Sequence, residues 1–168
     1  MLVENEDGTI PNSRFWEYAT SLENSTADYI SLTEYITNLL RENLPKTYTY
    51  HSVNHTLNVM NAVEKIGFGE KIFNEDILIL KTAALFHDTG FLERYTNNEE
   101  IGAKYAENIL PKYGFTNKQI ETISNLIFCT KMEHQPTNLL ERIIRDADLD
   151  YLGREDFVDI SNKLKNEF

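Results

Sequence analysis

Apolar residues in this chain recur at helical spacing, and almost nowhere do they alternate as a half-buried strand requires. From Ser13 onward almost every segment has this period; "TADYISLTEYITNLLREN" shows it through Tyr29, Ile30, Leu32, Tyr35, Ile36, Leu39 and Leu40. "HTLNVMNAVEKIG" repeats it through Leu57, Val59, Met60, Val63 and Ile66, with Gly67 as a stop. Asn74 is placed to cap the next helix, with Glu75 and Asp76 complementing its dipole. "EEIGAKYAENILPKYG" makes another, limited by Pro111. Thr116 with Gln119, and Asn138 with Glu141, have capping-box spacing before two further helices. These elements predict an all-α bundle of roughly eight helices. Residues 1–12 read as a flexible leader and 13–168 as a single domain. The closing "EDFVDISNKLKNEF" carries no stop signal, as expected of a chain cut from something longer.

Composition narrows the function. A chain of 168 residues, 41% apolar, can bury a real core. A net charge of −11 argues against nucleic-acid polymers and anionic membranes as partners, but a bound cation would still admit a small phosphorylated substrate. One cysteine, Cys129, permits no internal disulfide. "MLVENEDGTI" lacks a signal peptide's features, and "ILILKTAALF" is too short to span a bilayer, so a cytoplasmic location is expected. Oligomeric state stays open, a homodimer included.

Three short motifs hold the chemistry. "YHSVNHT" sets His51 and His55 four apart, which on a helix puts them on one face. That spacing suits two ligands of one metal, or one ligand beside an acid–base group, or simply a pair of capping histidines. "AALFHDTG" runs an apolar helix into adjacent His87 and Asp88, two groups costly to bury without partners. "RDADLDYLG" crowds three carboxylates near a helix end, where the macrodipole favours cations and a bound cation would compensate. At about 100° per residue, Asp148 and Asp150 flank the apolar face at similar angles, while Asp146 lies farther round. Imidazoles mixed with carboxylates suit a divalent transition metal better than calcium.

Read in order as His55, then His87–Asp88, then an aspartate of "DADLDYLG", the motifs resemble the HD-domain superfamily of metal-dependent phosphohydrolases. The closest flavour is the small bacterial HD proteins associated with nucleotide cyclase or sensory domains. The likeness spans roughly residues 50–157 and includes "EEIGA". It implies an HD-like helical bundle in which His55, His87, Asp88 and Asp148 hold one divalent ion, whether Mn, Fe, Co, Ni, Zn or Mg. It further implies that Asp88 orients a metal-activated water and that His51 protonates the leaving oxygen. Lys131 and Arg94 are candidate phosphate holders, and Tyr50, Phe91 and Phe128 candidate pocket residues. Many relatives have a histidine where this chain has Asn98, a poor transition-metal ligand, so the site reads as mononuclear. The reading is a phosphohydrolase of small phosphate esters, nucleotides among them. Its alternative is a catalytically silent, metal-binding regulatory or sensing module of a larger signalling protein.

Overall fold

The structure, a computed structural model, describes residues 28–167; the expected leader lies outside them. Seven α-helices and no strand occur among the described residues: α1 (Tyr29–Asn43), α2 (Val53–Gly69), α3 (Glu75–Phe86), α4 (Asn98–Ile109), α5 (Asn117–Cys129), α6 (Leu139–Asp148) and α7 (Phe157–Glu167). Short 3-10 turns follow α3, α4 and α6 at Thr89–Leu92, Leu110–Tyr113 and Asp150–Gly153. None of these helices is long and apolar enough to cross a membrane.

The central element is α3. Nine of its twelve residues are buried, on every side of the helix, so it can be stable only when enclosed. It touches α1, α2, α4, α5 and α6. Each neighbour turns a narrower apolar stripe toward it: Leu32, Ile36 and Leu40 from α1, Val59 and Val63 from α2, Ile123 and Ile127 from α5, and Ile143, Ile144 and Ala147 from α6. Some of the periodic apolar residues lie outside those stripes and face water, as Ile30 and Tyr35 do.

Helix ends follow the sequence at some positions and not at others. Thr116 and Gln119 form the expected reciprocal capping box, and Asn138 accepts from the Glu141 amide at 3.0 Å. Asn74 occupies the N-cap of α3, but its side chain makes no capping bond, and its φ of 55° uses asparagine's tolerance of positive φ instead. Gly67 does not stop α2, which runs on to Gly69. A Cβ at Gly67 would stand 2.4 Å from Ile77 Cδ1, so the glycine serves a close helix crossing.

Two other glycines let α4 press against the end of α3. A Cβ at Gly102 would lie 3.0 Å from the Phe86 carbonyl oxygen and 3.3 Å from that of His87. At Gly90 it would lie 1.8 Å from the Asn98 carbonyl oxygen, a backbone atom unable to yield. Gly90→Ala is therefore expected to lower the unfolding free energy by about 2–3 kcal/mol through overpacking. Gly69→Ala, whose Cβ meets nothing within 4 Å, should leave it unchanged or raise it by up to about 1 kcal/mol. Urea titrations of both variants check this, and equal midpoints would contradict the close approach.

Candidate metal centre

The enclosed end of α3 creates the site. Its last carbonyls have no helical partner and lie away from water, so nearby side chains must serve them. His87 Nδ1 donates to Ala84 O at 2.7 Å, and Thr89 Oγ1 donates to Phe86 O at 2.7 Å. A carbonyl only accepts, so Nδ1 carries the proton and Nε2 faces inward. Asp88, at φ −98° and ψ 3°, has already left helical geometry. The break allows two adjacent side chains to reach one place, which a regular helix would forbid.

His55 arrives from the first turn of α2 and Asp148 from the last residue of α6. His55 Nε2 lies 3.2 Å from His87 Nε2, 3.0 Å from Asp148 Oδ1 and 3.6 Å from Asp88 Oδ2. His87 Nε2 lies 3.2 Å from Asp88 Oδ2 and 3.5 Å from Asp148 Oδ1. Donor atoms 2.0–2.2 Å from one first-row ion stand about 3.0–3.5 Å apart, so the separations among His55, His87 and Asp148, all within 4.8 Å of one another, suit one coordination shell, with Asp88 beside the two imidazoles. Asp88 Oδ2 is buried with the His87 and His55 imidazole nitrogens beside it; when those nitrogens carry no proton toward it, it is an acceptor that a cation would satisfy. The donor set fits a divalent ion. Asp150, which periodicity left level with Asp148, instead opens the following 3-10 turn, and Asp146 is exposed.

Electrostatics agree with that fit. Burial opposes charge on His87, yet Asp88 and Asp148 together raise its pKa well above the ordinary value. Burial likewise opposes ionisation of the two aspartates, but His87 outweighs it for Asp88 and the hydrogen bonds of His55 and His87 outweigh it for Asp148, so both fall below the usual carboxylate range. Tyr50 packs 4.5 Å from the His55 ring centre. Its phenol pKa is raised by burial and then by Asp148, so it remains neutral.

His51 is not on α2, which begins after it at Val53 with Ser52 as N-cap, so four-residue helical spacing does not orient it. A contact invisible in the sequence does: Glu167 of α7 has a fully buried side chain and pairs with His51 Nδ1. Its other oxygen accepts from the Tyr50 and His51 amides at 2.7 and 3.2 Å. Phe91 lies against the imidazole with ring centres 4.1 Å apart. Nothing in "KLKNEF" marks that glutamate. A cleft of about 540 Å³ opens beside His55 and Asp148, and Arg154 and Lys163 are its cations. Lys131 is not in its lining and donates to Asn97 Oδ1 at 3.3 Å, while Arg94 pairs with Glu100 at 3.1 Å. Asn98 Nδ2 is turned to the Tyr95 carbonyl, and Phe128 is 39% exposed.

A bundle that gathers two imidazoles and two carboxylates at one enclosed point defines a class, the helical hydrolases built around a His/Asp metal site. The HD domain model matches residues 52–150, and the chain belongs to the HD-domain family. A crystal structure of a predicted HD superfamily hydrolase from an uncultured Thermotogales bacterium is similar, with 29% identity and a TM-score of 0.63. The match covers 77% of this chain and 74% of that one. None of the curated proteins matches.

Because His87's pKa is raised, the metal-free site holds a proton at neutral pH that an incoming ion must displace. Lowering pH should therefore weaken binding by about tenfold per unit below that pKa, and raising pH through it should bring affinity to a plateau. Calorimetry at pH 7 in buffers of different ionisation enthalpy should show proton release. Buffer-independent heats would contradict it.

Proposed function

We propose that the chain is a metal-dependent phosphohydrolase acting on a small phosphate ester, with nucleotides the first class to test. The observation that carries this reading is the convergence of His55, His87 and Asp148 donor atoms, with Asp88 against the two imidazoles, beside a cleft that contains cations. His55, His87, Asp88 and Asp148 would hold one divalent ion at this point. Such an ion, when bound, supplies Lewis acidity toward a phosphoryl oxygen and lowers the pKa of a coordinated water.

The remaining work falls to side chains of this chain. Arg154 and Lys163 are placed to take phosphate oxygens. The Arg154 guanidinium now forks onto Asp156 at 2.9 and 2.6 Å, a contact that a substrate anion would share or replace. His51 is the acid that protonates the leaving oxygen. With Nδ1 turned to Glu167, the exchanged proton sits at Nε2, and Glu167 fixes ring and tautomer. Asp88 would also orient the attacking water. Asn98's commitment to the Tyr95 carbonyl favours a single ion at this point.

Metal-stripped protein offered phosphomonoesters, phosphodiesters and nucleotides should release phosphate or cleave the ester only after a divalent ion is returned. His51→Ala should lower kcat by about 10²–10⁴-fold while ion binding persists. Glu167→Gln should lower kcat by about tenfold and alter the pH–rate profile with KM little changed. Absence of turnover across the panel, with the ion bound, would favour the silent regulatory module instead.

A further inference from the structure

A second cluster of metal-ligating atoms lies where the first does not reach. Cys129 ends α5, His134 sits on the following loop, and Glu141 belongs to the first turn of α6. Cys129 Sγ is 3.2 Å from His134 Nε2, and that same nitrogen is 3.4 Å from Glu141 Oε2. All three atoms lie within 4.8 Å of one another. Glu141 precedes Asp148 by seven residues on α6, or about 10 Å along the helix, so the two clusters occupy opposite ends of one element.

The geometry separates two uses of a thiol, an imidazole and a carboxylate. In a nucleophilic relay the thiol and the carboxylate take different ring nitrogens, one on each side. Here both converge on Nε2, which has only one proton or one lone pair to offer. An ion between them would engage all three at once. Tetrahedral zinc, with Zn–S near 2.3 Å and Zn–N or Zn–O near 2.0–2.1 Å, sets S···N at about 3.5 Å and N···O at about 3.3 Å, close to the spacing found.

The surroundings hold the three ligands in place. Glu141 Oε2 accepts from the Thr137 amide at 2.6 Å and its hydroxyl at 3.0 Å, and Oε1 accepts from Asn138 Nδ2 at 2.7 Å. The loop is fixed by His134 N donating to Lys131 O at 3.0 Å and by Arg145, whose guanidinium donates to the His134 and Met132 carbonyls. Such outer hydrogen bonds are how ligating side chains are oriented. Cys129 is buried, while the His134 side chain is 35% exposed, which leaves a side open for water as fourth ligand.

We propose that Cys129, His134 and Glu141 form a second metal site, selective for zinc or another thiol-seeking divalent cation. It closes the α5–α6 connection and acts independently of the phosphohydrolase reading. The first cluster contains no sulfur, so cobalt distinguishes the two. Metal-stripped protein titrated with Co²⁺ should develop a thiolate-to-cobalt charge-transfer band saturating at one equivalent, in wild type and in His87→Ala alike. Cys129→Ser should lose the band, and its bound zinc should fall from two equivalents to one. Glu141→Gln keeps a capping acceptor at this position and should still bind at least tenfold more weakly. His134→Gln, on a surface loop, repeats the test where Cys129→Ser fails to fold. No band in wild type, a band that survives both ligand variants, or unchanged affinity in Glu141→Gln would each overturn the site.

Discussion

An apolar helix that ends inside the protein is the constraint on which everything else depends. Helix α3 is buried on all sides, so its terminal carbonyls cannot turn to water. His87 Nδ1 and Thr89 Oγ1 supply the missing donors, and the bond from Nδ1 leaves Nε2 facing inward. The same side chain thus completes the helix and presents a donor atom. Gly90 and Gly102 then let α4 close over this end, because any Cβ there would meet backbone oxygen.

From that point the electrostatics are set by enclosure. Two carboxylates and two imidazoles share one pocket, and burial opposes charge on His87, Asp88 and Asp148 alike. Without an ion they hold one another through a proton on His87, whose Nε2 stands 3.2 Å from Asp88 Oδ2. A divalent cation would replace that proton and engage the same oxygens. The arrangement is therefore costly as a structural device and well suited to a binding one.

The helices were legible because burial imposes its period on the sequence: α1 shows it in Leu32, Ile36 and Leu40. The caps at Thr116 and Asn138 were legible because their partners are three residues apart. His55, His87 and Asp88 stood out as ionisable groups in apolar settings. What no local pattern reveals depends on packing between distant segments. Gly67 reads as a stop until Ile77 is seen against it. His51 reads as a helix-face partner of His55 until Ser52, in extended geometry, is seen to precede the first turn of α2. Glu167 is separated from His51 by 116 residues, and no local pattern predicts their pairing. Asp148 and Asp150 differ by where α6 breaks into its 3-10 turn, beyond the precision of periodicity.

Helix α6 links the two donor clusters, with Glu141 near its start and Asp148 at its end. At the latter end, we propose, four side chains share one ion. A crystal of the protein loaded with manganese, measured at a wavelength giving anomalous scattering, tests it directly. A single peak about 2.0–2.3 Å from His55 Nε2, His87 Nε2, Asp88 Oδ2 and Asp148 Oδ1 is the predicted result. A fully loaded crystal with no density among those four atoms would contradict it.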